Sequence, residues 1–270
     1  YKRQREDLQP IFSFKVRGAY NKLKNLTRAQ MCKGVIAASA GNHAQGVAIA
    51  AKKLQIHATI VMPVTTPRIK VDAVQAYGAE VVLYGDDYNS AAAHAEQLSE
   101  KEKSVFVHPF DDRDVIVGQG TIGMEIHRQI AQPLDAIFIA VGGGGLCAGI
   151  AAYLSVMRPE TKIIAVESDD AACLAAAIEA GHPVRLPEVG IFADGTAVAE
   201  IGNHTWDILK DLVHEVIAVT TDEICAAIKD TFNDTRAICE PSGAIGLAGL
   251  KKYILAVSYT HLTLPTKRIV

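Results

Sequence analysis

The chain has 270 residues and a mass of 28.9 kDa, room for one large domain or two modest ones and for a core that needs no disulfide staples. Hydrophobic residues are 49% and charged residues 21%, which excludes a disordered chain. Lys and Arg total 27 against 30 Asp and Glu, a formal charge of −3, and the one basic run, Tyr1-Lys2-Arg3-Gln4-Arg5, is short and followed at once by Glu6-Asp7, so nucleic acid is excluded as a default partner.

Strand-like and helix-like segments alternate along the chain. Residues 34–38 are a short apolar strand and 42–54 carry a helix pattern. Residues 57–62 are strand-like, and the Pro63 to Pro67 stretch breaks the chain before another helix. A strand at 80–84, a polar Ala-rich helix at 89–101, a short strand at 104–107 and a helix at 119–130 follow. Residues 136–157 hold no charge and are long enough to cross a bilayer, but Gly142 to Gly145 disfavour continuous helix there. They read as a strand at 136–141, a glycine loop and a helix at 146–157, and no membrane segment is expected. Strands at 163–167 and 215–219 complete the series, and a last helical pattern ends at 251–254. This alternation predicts an α/β fold with largely parallel sheets. Residues 256–270 are Thr-rich without helix period and read as a non-native tail.

Five scattered cysteines (Cys32, Cys147, Cys173, Cys225, Cys239) include no CxxC pair, which argues against a zinc ribbon or a disulfide framework. They read as buried thiols in a reducing, cytoplasmic compartment. No signal peptide pattern is visible, and Tyr1 in place of Met suggests that the natural start lies elsewhere.

Three segments carry chemistry. In Ser13-Phe14-Lys15-Val16-Arg17-Gly18-Ala19, a lysine among apolar neighbours can be desolvated toward the neutral amine that forms a Schiff base with an aldehyde; a solvated surface lysine is the plainer alternative. Ser39-Ala40-Gly41-Asn42-His43-Ala44-Gln45-Gly46 follows a strand and opens a helix, with Ser39 and Asn42 as capping residues and free amides suited to a carboxylate or phosphate; a plain capped helix fits it equally. Val141-Gly142-Gly143-Gly144-Gly145-Leu146 can aim several backbone N–H groups at one phosphate. The same stretch also fits GxGxxA, with Glu167 closing the next strand as a ribose-binding acid would in a dinucleotide fold, and glycine count does not separate the two.

Taken together the segments resemble the fold type II pyridoxal-phosphate enzymes and, more narrowly, the biosynthetic threonine dehydratases (threonine ammonia-lyases). Arg5-Glu6-Asp7-Leu8-Gln9-Pro10, His108-Pro109-Phe110-Asp111-Asp112, Gly118-Gln119-Gly120-Thr121, Phe192-Ala193-Asp194-Gly195 and Glu240-Pro241-Ser242-Gly243-Ala244 extend the resemblance, in order, over about residues 5–255. It implies a two-domain fold of the tryptophan synthase β kind. Lys15 would hold pyridoxal 5′-phosphate through a Schiff base and move the substrate's α-proton. Asn42 would bond the cofactor's 3-oxygen, and the backbone of Gly142, Gly143, Gly144, Gly145 and Leu146 would cradle its phosphate. Ser39, Gly41, Asn42 and His43 would face the substrate. The implied reaction is loss of water and ammonia from L-threonine to give 2-oxobutanoate, a step of isoleucine biosynthesis.

The resemblance further implies a larger cofactor domain of residues 1–34 plus 112–255, a smaller substrate-side domain of 35–111, and a homodimer or homotetramer. Related enzymes bind cations near Glu188 and Asp194, which makes these two weak metal candidates; solvated loop carboxylates are the alternative. The family's serine that meets the pyridine nitrogen has no match, since the context of Ser258 differs, and an isoleucine-sensing region is missing. The chain is therefore expected to be a fragment of the catalytic region. Serine racemase or a catabolic serine/threonine dehydratase shares the motifs; an NAD-binding oxidoreductase and a non-catalytic remnant stay open as readings from other classes. His57, His94, His127, His182, His204 and His214 lack ligand spacing, Trp206 reads as a core or interface aromatic, and Arg17 as a partner for a carboxylate.

Overall fold

Short apolar runs make the strands of this protein, whose computed structural model describes residues 4–260, with side chains through residue 256. β1 (Val35–Ala38) and β2 (Ala58–Met62) are buried along their whole length, the mark of parallel strands covered on both faces. With β3 (Glu80–Leu83) and β4 (Val105–Phe106) they form a sheet of order β3-β2-β1-β4. A second sheet, β5-β6-β7, joins β5 (Ala136–Ala140), β6 (Lys162–Ser168) and β7 (Glu215–Val219). Every pairing is parallel, so each link within a sheet must cross a face.

Helices supply the crossovers. α1 (Lys15–Lys24) and α2 (Arg28–Lys33) precede β1. α3 (Asn42–Leu54), α4 (Arg68–Ala76) and α5 (Tyr88–Glu102) link the strands of the first sheet. α6 (Arg113–Gln129) runs between the sheets. α7 (Gly145–Met157), α8 (Cys173–Ala180) and α9 (Asn203–Leu212) serve the second sheet, and α10 (Thr221–Thr235) and α11 (Pro241–Thr260) follow β7. This is the expected α/β fold of parallel sheets flanked by helices. Among the described residues no helix is long and apolar enough to cross a membrane.

Two of the expected helices depart from the sequence reading by several residues, and α1, α2, α8, α9 and α10 lie where it names no element. α6 starts at Arg113 rather than 119, because the Asp112 carboxylate accepts from the Asp114 and Val115 amides and caps it there. α11 runs on to Thr260, past the expected end at 254, since no Gly or Pro interrupts the backbone before Pro265. Residues 256–260 of the supposed tail are therefore helical, and 261–270 lie outside the described residues. Cys147 and Cys173 are buried as expected, but Cys32 and Cys225 are exposed.

α1 lies where the two halves meet. Its Ala19 and Leu23 join Val35, Ala37, Val47, Ile60 and Val115 in one core, while Ile122 and Ile126 of α6 pack with Val141, Leu154, Ile163 and Leu209 in another. α1 and α6 touch backbone to backbone: a Cβ on Gly118 would sit 2.6 Å from the Gly18 Cα. That contact fixes the helix bearing Lys15 against the helix that leads to the second sheet.

Candidate active site

Lys15 is the first residue of α1. Its Nζ donates to the Pro109 carbonyl at 3.0 Å and lies 5.4 Å from the centre of the Phe14 ring. Burial draws its ammonium down to about 8, against the opposing pull of the Glu240 carboxylate.

The turn between β4 and α6 ties this amine to the glycine loop. His108 Nδ1 accepts from the Phe110 and Asp111 amides, at 3.3 and 2.8 Å, which shapes the turn. Phe110 stands T-shaped against His108, 4.6 Å between centres, and walls the loop: a Cβ on Gly143 would fall under 3.0 Å from its ring, and one on Gly145 would meet its Cα at 3.0 Å. Asp111 accepts from the Asn203 and His204 amides, at 3.0 and 2.7 Å, and so caps α9. One peptide unit thus separates the carbonyl held by Lys15 from the wall of the glycine loop.

The loop itself tolerates no side chain. Gly144 has φ +90°, a left-handed conformation that glycine adopts at no steric cost, and a Cβ on Gly142 would lie 2.9 Å from the Thr196 Cα. Its carbonyls face the protein: Gly142 accepts from Cys173 Sγ at 3.4 Å, Gly143 from Thr205 Oγ1 at 2.8 Å and Gly144 from the Ala148 amide at 2.8 Å. The N–H groups of residues 142–146 have no acceptor among the described residues. A run of free donors at the start of α7 is what a phosphate requires, so the residues fit the phosphate end of pyridoxal phosphate, and the Lys15 amine fits its aldehyde.

The start of α3 offers a second set of donors. Gly41, rather than Ser39 or Asn42, is its N-cap, and no side chain caps the helix. Ser39 Oγ instead accepts from the Gly41 amide at 3.2 Å, and the Asn42, His43 and Ala44 amides have no acceptor among the described residues. A Cβ on Gly41 would meet no protein atom within 4 Å. Asn42 Nδ2 donates to Glu240 Oε1 at 2.8 Å. His43 is buried, its Nε2 donates to the Val107 carbonyl at 2.9 Å, and burial lowers it to about 3, so the ring is neutral and tied to backbone. Burial, with the nearby Asp194 charge, raises Glu240, while Asn42, Lys70 and Lys15 oppose the rise.

Lys15 and Asn42 are thus linked through Glu240, His43 feels the Lys15 charge directly, and Lys15 reaches the tetraglycine loop through the Pro109-Phe110 turn. The two metal candidates are engaged differently: Glu188 lines a surface cavity with Asp169 and Asp170, and Asp194 pairs with Lys70 at 3.1 Å. Among the described residues no group of three or more His, Cys, Asp or Glu could hold a metal ion. Glu167 is fully buried and accepts from the Leu174 and Ala175 amides, at 2.8 and 2.9 Å, which removes it from the ribose-binding role of a dinucleotide site. Glu240, Phe110, Cys173 and Thr205 carried no individual role in the sequence reading. Glu240 had a visible signal, an acid directly before a proline at a helix start; the other three are identifiable only from tertiary contacts.

Residues 4–260 match the family model described as pyridoxal-phosphate dependent enzyme. The chain is 53% identical over 253 residues to a biosynthetic L-threonine dehydratase of Burkholderia multivorans, covering 93% of this chain and 50% of that protein. It spans about half the length of the curated bacterial relatives it matches. Its fold superposes on the processed form of threonine deaminase isoform 2 from Solanum lycopersicum with a TM-score of 0.93 at 50% identity, covering 94% of this chain and 74% of that one. On serine racemase from Dictyostelium discoideum the TM-score is 0.87 at 34% identity, with coverage of 95% and 82%. A match of this length, on a fold that sets a half-buried lysine beside a donor-rich glycine loop, means that the chain belongs to the pyridoxal-phosphate dependent enzyme family.

Proposed function

We propose that the chain is part of the catalytic region of a threonine ammonia-lyase, which converts L-threonine to 2-oxobutanoate and ammonia. The observation that carries this reading is the Lys15 amine on the Pro109 carbonyl, one residue from the Phe110 wall of the tetraglycine loop. When bound, pyridoxal phosphate supplies an aldehyde for that amine and a ring that stabilises the charge left on an amino acid's α-carbon.

The chain's own residues do the rest. The amides of residues 142–146 bind the phosphate at the positive end of α7. The open amides at the start of α3, with Ser39 and Gly41 beside them, bind the α-carboxylate and so orient the α-hydrogen. Lys15, drawn to about 8 by burial, is neutral often enough near neutral pH to take that proton at Nζ. Glu240 holds the Asn42 carboxamide, and His43 anchors the start of α3 to Val107.

The division into residues 35–111 and 1–34 plus 112–255, with the site between them, belongs to this proposal. So do a cytoplasmic location and a homodimer or homotetramer; the exposed Leu8, Phe12 and Val117 offer apolar surface for self-association. Serine racemase is the second reading, favoured by the likeness to that enzyme at 34% identity. Purified protein supplied with pyridoxal phosphate and given L-threonine, L-serine or D-serine tests both. 2-Oxobutanoate from L-threonine supports the first reading; D-serine formed from L-serine, without 2-oxobutanoate from threonine, overturns it in favour of the second.

A further inference from the structure

Four glycines have no side chains with which to fix their own peptide planes, so that task falls to neighbours. In a trans peptide the carbonyl and the following N–H point in opposite directions, and the described chain has no cis peptide. The Gly142 carbonyl is held by the Cys173 thiol and the Gly143 carbonyl by the Thr205 hydroxyl. The Gly143 N–H is therefore aimed away from Cys173, and the Gly144 N–H away from Thr205.

Both side chains are fully buried, and each reaches the loop from the first turn of a helix whose start is itself held by a carboxylate. Glu167 bonds the first amides of α8 beside Cys173, and Asp111 bonds those of α9 beside Thr205. We propose that Thr205 and Cys173 are positioning residues that set the affinity of the glycine loop for a phosphate monoester. The proposal rests on the reading of this loop as the cofactor's phosphate site. Each contact is shared: the Thr205 hydroxyl has the Gly202 carbonyl at 2.9 Å as a second acceptor, the Gly143 carbonyl also receives the Gly202 amide at 3.4 Å, and the Cys173 thiol also meets the Glu167 carboxyl. Loss of either side chain should therefore weaken the cradle without abolishing it.

The test is equilibrium binding of pyridoxal phosphate and of pyridoxal, which lacks the phosphate, to the parent chain and to Thr205→Val, Thr205→Ser and Cys173→Ala. Thr205→Val and Cys173→Ala should each lower the preference for the phosphorylated compound about five- to tenfold, with pyridoxal affinity unchanged, and Thr205→Ser should keep the parental preference. Thermal melts identify any variant that does not fold, and the other substitution then carries the comparison. A parental preference in the folded variants overturns the positioning role but leaves the loop as a phosphate site. A parent chain with no preference for the phosphorylated compound overturns the underlying reading, and this inference with it.

Discussion

Gly143→Ala tests how the glycine loop is built. The added methyl would fall under 3.0 Å from the Phe110 ring carbons, whereas carbon–carbon contacts settle at about 3.5–4.0 Å. The ring must therefore retreat by more than about 1 Å. It has little freedom to do so, because its backbone amide is bonded to His108 Nδ1 and the peptide before it carries the carbonyl that holds Lys15. Overpacking of this kind costs about 1–3 kcal/mol. At about 2–4 °C per kcal/mol for a chain of this size, the melting midpoint should fall by about 2–12 °C. Because the same displacement reaches both the loop and Lys15, pyridoxal phosphate binding should weaken by at least about tenfold, a loss of about 1.4 kcal/mol. Gly243→Ala is the matched control: its Cβ would meet Cys239 at 3.4 Å, an ordinary contact on an exposed first turn of α11, and the exchange should add up to about 1 kcal/mol of stability. Scanning calorimetry and cofactor titration read both. If the clash with Phe110 is the cause, Gly143→Ala combined with Phe110→Ala should be less impaired than the sum of the two single changes. Strict additivity, or a Gly143→Ala chain with parental midpoint and affinity, would refute the reasoning.

Three further outcomes follow from the same geometry. The Arg17 guanidinium bonds both oxygens of Glu6 and both of Glu125, with a further bond to Thr121, so Arg17→Ala should leave two half-buried carboxylates facing one another and cost about 2–3 kcal/mol, read as a lower melting midpoint. Glu240→Gln removes the charge that holds the Lys15 ammonium up; with His43, His108, Asp194 and Lys70 unchanged around the pair, the rate of Lys15 acylation plotted against pH should move to lower pH, and an unmoved profile would contradict the assignment. Burial raises Glu167 to about 7, above the usual carboxylate range, so the folded chain holds a proton that the unfolded chain has released between about pH 4.5 and 7. Its contribution is present at low pH and lost as pH rises through 7, so Glu167→Gln should flatten the fall in midpoint between pH 5 and 8.

Much of this architecture is legible in the sequence because its strands are short apolar runs and its helices carry local start signals. The helix at Asn42–Leu54 and the strand at Glu215–Val219 lie where hydrophobic period alone places them. α6 starts six residues before its apolar pattern shows because Gly118 and Gly120 interrupt that pattern, and those glycines are there for close packing rather than to end a helix. Lys15 and the four glycines carry their chemistry in their residue types, so they can be singled out before any fold is known. Cys173 and Thr205 cannot, because an ordinary buried thiol and hydroxyl gain meaning only from the carbonyls they meet 31 and 62 residues away in the chain. Glu167 shows the converse: its spacing from the glycines imitates a ribose acid, and only burial and two helix amides give its actual place.

The account turns on which lysine captures the cofactor. Borohydride reduction of the protein mixed with one equivalent of pyridoxal phosphate, followed by proteolysis and peptide mass spectrometry, locates the covalent pyridoxyl group. It should be found on the peptide containing Lys15 and vanish in Lys15→Ala. Modification spread over surface lysines such as Lys52 and Lys53, with Lys15 unmodified, would contradict the account.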